Sequence, residues 1–202
     1  GIEPRAIDRE VSCALHMTHM GNTSKPEALI RQALRNGLSD GWGGSMCGTE
    51  FSDVLFGTPK PIDTEANLGV MNAENVNIVV HGHDPSLSEM ICEYADSKEM
   101  IDYAKSMGAK GITVSGVCCT SNEVAMRRGI PMAGNFLQQE NVVLTGACEA
   151  IVVDVQCIFP ALGPLSKCFH TNSSQLLQSA RCQIPISLNL MQVQQVRKQN
   201  RS

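Results

Sequence analysis

The chain has 202 residues, 43% of them hydrophobic and 18% charged, a balance that excludes intrinsic disorder and a collagen-like fibre. Its 16 basic and 20 acidic side chains leave a formal charge of −4, so nothing points to nucleic acid or an anionic membrane as partner. No apolar run approaches the roughly 18–20 residues of a transmembrane segment, and Gly1-Ile2-Glu3-Pro4-Arg5 is no signal peptide, so a soluble, cytoplasmic protein is expected. Nine cysteines, an odd count without a secretory signal, argue against a disulfide framework and for metal binding or packing.

Residues 1 to about 40 read as helix, because Val11, Leu15 and His19, then Ala28, Leu29, Ala33 and Leu34, recur at helical spacing. Ser24 is the expected N-cap, with Pro26 in the first turn and Glu27 three residues on. Asp40-Gly41-Trp42-Gly43-Gly44-Ser45 carries three glycines within four positions and reads as a turn or a close backbone approach. A short helix over Thr49–Phe56 is stopped by Gly57-Thr58-Pro59-Lys60-Pro61. Residues 1–69 are therefore expected to form a helical segment, the remnant of a larger helical domain.

From about residue 70 to 202 the pattern changes to strand, loop and helix. Asn77-Ile78-Val79-Val80 is a strand followed by His81-Gly82-His83-Asp84-Pro85, then a helix over Ser86–Met107 and a second strand over Ile112–Val117. Cys118-Cys119 turns into a helix through Met126, Phe136–Leu144 forms another, and Ala150–Val155 supplies a third strand. Alternating strands and helices imply an α/β fold: a Rossmann-like parallel sheet with flanking helices, preceded by the short helical segment. After Asn172 the reading weakens; Ile184–Val196 is ambiguous and Arg197–Ser202 resembles a polar tail.

Ligands of open parallel sheets collect outside the carboxyl ends of the strands. All three anticipated strands run into metal-ligand residue types: His81 and His83 after the first, Cys118 and Cys119 after the second, Cys157 after the third. The steps from His83 to Cys119 and from Cys119 to Cys157 each span roughly one βα unit. Thiolate with imidazole suits iron–sulfur, zinc or nickel and disfavours calcium or magnesium. Asp40 is the candidate for a supporting acid–base role, against capping of its turn. His16 and His19 share a helix face and either relay protons or pack. Asp53 reads as a solvated face residue, and Gln138-Gln139-Glu140 as part of a helix flanking the cavity. Cys13, Cys47, Cys92, Cys148 and Cys182 are expected to be buried, while Cys168 is a weaker ligand candidate.

Several longer motifs go further. The segments Val76-Asn77-Ile78-Val79-Val80-His81-Gly82-His83-Asp84-Pro85, Gly116-Val117-Cys118-Cys119-Thr120-Ser121-Asn122-Glu123 and Val152-Val153-Asp154-Val155-Gln156-Cys157 closely resemble the catalytic subunit of anaerobic, nickel-dependent carbon monoxide dehydrogenase. So do Gly129-Ile130-Pro131-Met132-Ala133-Gly134-Asn135-Phe136, His16-Met17-Thr18-His19-Met20-Gly21, Asp40-Gly41-Trp42-Gly43-Gly44-Ser45 and Phe56-Gly57-Thr58-Pro59; the resemblance covers about residues 10 to 172. It implies a prismane-like fold and a nickel–iron–sulfur cluster that oxidises CO with water to CO2 and passes electrons to a ferredoxin-like acceptor, in a homodimeric full-length enzyme that also carries 4Fe-4S clusters. His83 and Cys119 would hold the iron outside the cubane and Cys157 a cubane iron, with His81 and Cys118 as the rivals of the first two.

The chain is much shorter than that family, without its electron-transfer cysteines or the remaining cubane and nickel ligands, and the sequence after about Ser173 departs from the family pattern. An inactive, incomplete fragment of the parent enzyme is expected. The related hybrid-cluster protein is the nearest alternative, but its pattern places a glutamate ligand between the histidine and the first cysteine, with no convincing counterpart here. The other alternative is a non-catalytic α/β domain that packs through its cysteine-lined edge.

Overall fold

A computed structural model describes residues 2–154 and 156–175, and the chain divides into two compact units at Thr58/Pro59. The sequence expectations for Ile184–Val196, Arg197–Ser202 and Cys182 lie outside the described residues.

The first unit is helical. It holds α1 (Ile7–Thr18), α2 (Pro26–Asp40) and α3 (Gly48–Phe56). Ser24 does not cap α2: the helix starts from extended Lys25, and Pro26, which lacks an N–H, occupies the first turn. The glycine-rich stretch is no turn, since α2 continues through a π-helical segment, Gly41–Cys47, into α3. Glycine tolerates helical backbone at a modest cost, and helix on both sides carries the winding across. A close approach is nonetheless present, because a Cβ at Gly43 would collide with the Ile7 side chain of α1. Glu10, fully buried, joins α1 to α2 by accepting from Arg5 Nε (2.7 Å) and Gln32 Nε2 (2.7 Å). The Arg5 guanidinium holds this carboxyl well below the usual carboxylate range.

The second unit runs β1 (Val76–His81), α4 (Pro85–Ala95), α5 (Lys98–Ser106), β2 (Ile112–Val117), α6 (Cys118–Arg128), β3 (Met132–Gly134), α7 (Gln139–Leu144), β4 (Ala150–Val153), α8 (Leu162–Ser166) and β5 (Asn172–Gln175). All five strands pair in parallel, in the order β3-β2-β1-β4-β5. This is the α/β fold expected, a parallel sheet flanked by helices. The helix anticipated over 86–107 is two helices, because Ser97 is extended and its Oγ accepts from Met100 N–H at 3.3 Å, starting a new helix. β3, of three residues, and the polar β5 are additions to the sequence reading.

Period-two alternation sorts the core onto the two faces of the sheet. Val76, Ile78 and Val80 of β1 pack with Ile91, Cys92, Met100, Ala104 and Val124 of α4, α5 and α6. Val79, Val117, Ile151 and Val153 pack on the other side with Val142, Val143 and Leu162 of α7 and α8. β1 is buried on both faces, which is why Ile78-Val79-Val80 reads as an apolar run, with Asn77 and His81 as its buried polar members. Strand order reverses at the β1/β4 pair, and this crevice at the carboxyl ends is where such sheets place their ligands.

Candidate metal centre

Three loops leave the carboxyl ends of β1, β2 and β4, and they carry the candidate residues. After β1, Gly82 takes φ +131°, a conformation open to glycine, and turns the chain so that His83 and Asp84 follow. Asp84 accepts from Ser86 N–H (2.9 Å) and caps α4, with Pro85 in its first turn. After β2, Cys118 begins α6 in the left-handed region at φ +71°. After β4, Gln156 and Cys157 adopt φ +62° and +55°. Among the described residues these are the non-glycine positions with positive φ, and all lie at this end of the sheet. Each such residue costs about 1–3 kcal/mol, a strain that tends to cluster at functional sites.

The geometry brings His83, Cys118 and Cys119 together: one ligand atom of each lies within 4.8 Å of the others. Donors at about 2.0–2.3 Å from one tetrahedral ion lie roughly 3.3–3.8 Å apart, so the loops would close by about 1 Å for the three to share a cation. The Cys118 and Cys119 sulfurs are 3.9 Å apart, and the Cys118 thiol also meets Cys157. Burial, reinforced by the neighbouring thiols, pushes Cys118 up to about 12. Cys119 and Cys157 are exposed. This donor set of thiols and imidazole fits iron–sulfur chemistry and is wrong for hard cations.

His81 is placed differently. It is fully buried on β1, and its Nε2 lies 3.0 Å from Gln139 Oε1. Burial lowers its pKa and favours the neutral ring. Asp40 belongs to the first unit, where it ends α2 and is exposed, its carboxylate lying over Gly44. His16 sits in the last turn of α1 and His19 caps it, both exposed; Asp53 is half-buried in α3. Cys92 and Cys148 are buried as expected, whereas Cys13 and Cys47 are half-buried. Cys168 is exposed and its sulfur faces the Pro164 carbonyl at 3.8 Å.

Two positioning side chains carry no ligand signal in sequence. Gln139, fully buried, donates to the carbonyls of Phe136 (2.6 Å) and Cys157 (2.8 Å), and accepts from Phe159 N–H (2.8 Å). Asp154, one residue beyond β4, accepts from the backbone N–H groups of His83 (2.6 Å) and Asp84 (3.0 Å). Thr120 joins the β1 and β2 loops: its N–H donates to Gly82 O (2.8 Å), and its hydroxyl donates to Asp84 O (3.1 Å) and meets Ser88 Oγ (2.7 Å). Behind the loops, α4 and α6 are clamped by buried Glu89 with Arg127 and Arg128.

Known proteins resemble this chain in sequence and in fold. The sequence profile of the Prismane/CO dehydrogenase family matches residues 1–182. Carbon monoxide dehydrogenase 1 of Methanosarcina mazei is 56% identical over 171 residues, which is 85% of this chain and 27% of that protein. Carbon monoxide dehydrogenase 1 of Carboxydothermus hydrogenoformans is 51% identical over 172 residues, again 85% of this chain and 27% of the relative. A nickel-free carbon monoxide dehydrogenase structure from Thermococcus sp. AM4 superposes with a TM-score of 0.84 at 48% identity, covering 97% of this chain and 32% of that one. The chain thus spans about a quarter of the length of the curated relatives it matches. On this sequence and structural likeness, the chain belongs to the Prismane/CO dehydrogenase family.

Proposed function

We propose that this chain is part of an enzyme that oxidises carbon monoxide with water to carbon dioxide, passing the electrons to a ferredoxin-like acceptor. The observation that carries the reading is the juxtaposition of His83, Cys118 and Cys119 at the carboxyl end of the sheet, in a chain 56% identical to a carbon monoxide dehydrogenase. His83 and Cys119 are the proposed ligands of an iron outside the cubane, and Cys157 of a cubane iron. Bound there, a nickel–iron–sulfur cluster would supply the two-electron chemistry that takes CO and water to CO2 and two protons.

The chain's own residues prepare that place. The left-handed backbone at Cys118 and Cys157 aims both loops toward one region, and Gln139 holds the second of them by its carbonyl. His81, neutral in its buried seat, adds no charge beside the ligands. Asp40 is proposed to accept a proton. The full-length enzyme is proposed to be a homodimer, and the isolated chain, with three of the expected protein ligands, to be inactive.

Anaerobic reconstitution of the 202-residue chain with iron, sulfide and nickel tests this reading, followed by metal analysis and a CO-dependent dye assay. The expected result is iron bound in a manner that needs His83 and Cys119, without dye reduction. A folded but metal-free chain would contradict the site and favour a packing domain. Stoichiometric nickel with CO-dependent dye reduction would contradict the proposed inactivity of the isolated chain.

A further inference from the structure

We infer that Asp154 is a positioning residue that sets the place of the His83 imidazole by gripping the backbone on which it stands. The inference rests on the reading of His83 and Cys119 as metal ligands, and adds to it a residue that does not itself reach the metal.

Four observations converge on this carboxylate. Its Oδ1 accepts from His83 N–H at 2.6 Å and its Oδ2 from Asp84 N–H at 3.0 Å, so both oxygens are committed to consecutive amides of one turn. Its own N–H donates to His81 O at 3.1 Å, continuing the β1/β4 ladder by one step beyond the strand. The side chain is almost wholly buried, at 6% exposure, where hydrogen bonds to an ionised acceptor are worth more than in water. Finally, a Cβ at Gly82 would collide with the Asp154 carboxylate. Gly82 therefore meets two demands at once: the positive φ that turns the chain, and the empty space into which the carboxylate fits.

The consequence is mechanical. An imidazole two residues past the end of a strand is free to swing unless its backbone is fixed. Here the fixing group stands just past the end of β4, three residues before Cys157, so one side chain couples the turn that presents His83 to the loop that presents Cys157. Support of this kind normally governs how well a ligand is oriented, and its loss typically costs about 10- to 100-fold in metal affinity. Asparagine at 154 would retain one acceptor and turn an amide N–H2 toward the second backbone N–H, breaking half of the grip without changing the volume.

The test is an anaerobic titration of the full chain with Co2+ alone as the probe. Affinity is read from the cobalt absorbance, coordinated imidazole from X-ray absorption, and stability from thermal melting. The wild type is expected to bind Co2+ through thiolate and one imidazole. Asp154→Asn is expected to weaken binding by about 10-fold or more and to lose the imidazole signal while keeping the thiolate-to-cobalt band. Gly82→Ala, which pushes the carboxylate off its seat from the other side, is expected to do the same and is the variant to read should Asp154→Asn fail to melt cooperatively. Ile151→Val, destabilised through the core, should lower the melting temperature and leave affinity and imidazole count alone. Wild-type affinity and imidazole signal in both loop variants would overturn the positioning role and leave the ligand reading intact. A wild type that binds Co2+ without imidazole would overturn the ligand reading and this inference together.

Discussion

Gln139 Oε1 accepts from His81 Nε2 at 3.0 Å, and the orientation of that amide assigns the histidine tautomer. The Gln139 nitrogen donates to two carbonyls and its oxygen already accepts from Phe159 N–H, so the oxygen can only accept and His81 Nε2 must carry the proton. A buried glutamine with all of its hydrogen-bonding capacity used is a cross-link between β1, α7 and the Cys157 loop. Gln139→Leu leaves buried donors and acceptors unpaired, at about 1–3 kcal/mol for each group. A fall in melting temperature of about 5 °C or more is expected, with weakened iron retention in the reconstituted chain. An unchanged melt would show that the loop is held elsewhere.

Glu89 makes a similar test behind the site. It is buried at 1% exposure between Arg127, 3.6 Å away, and Arg128. Removing one partner from such a group leaves buried charge uncompensated, at about 3 kcal/mol. Glu89→Gln should lower the urea midpoint accordingly, whereas Glu93→Gln, whose carboxylate is exposed and 3.7 Å from Arg128, should have little effect.

The helical unit should respond to acid through Glu10. Arg5, and then Gln32, hold the folded-state pKa below its ordinary value of 4.5. A carboxyl with a depressed folded pKa contributes stability above its unfolded pKa and loses it as pH falls toward the folded one. Helicity melts should therefore weaken progressively below about pH 4.5. Glu10→Gln should be less stable at neutral pH and flatter across that window; a wild type with no acid dependence there would contradict the pairing.

Thiol reactivity gives a further check. Cys119 and Cys157 are exposed, whereas burial raises the pKa of Cys118 to about 12, raises that of Cys92 to about 12, and raises that of Cys148 further still. Because the thiolate is the nucleophile, alkylation of the metal-free chain near pH 8 should label Cys119 and Cys157 well before Cys118, with Cys92 and Cys148 inert. Peptide mapping at short times reads the order, and labelling of Cys118 ahead of Cys119 would contradict it.

How much of this was legible in sequence depended on what each residue answers to. β1 stands out by the β-branched run Ile78-Val79-Val80, which burial on both faces favours, and β2, with Ile112, Val114 and Val117, begins and ends as its sequence suggests. β3 and β5 do not, being three residues long in one case and Asn-Ser-Ser-Gln in the other; their partners, not their composition, make them strands. The glycine-rich stretch after Asp40 misleads because glycine permits a turn without requiring one. Ligand-type residues at strand ends are visible from order along the chain. The roles of Asp154 and Gln139 are not, since each depends on backbone amides and carbonyls contributed by loops distant in sequence.

The most direct measurement places the 171 matched residues of this chain in the corresponding segment of the Methanosarcina mazei relative and follows CO-dependent reduction of a viologen dye under anaerobic conditions. The expected result is dye reduction at a rate near that of the relative, with bound nickel and iron, and its loss on His83→Ala with the fold retained. A folded, metal-loaded chimera that does not reduce dye, or a His83→Ala chimera as active as its parent, would contradict the proposed function.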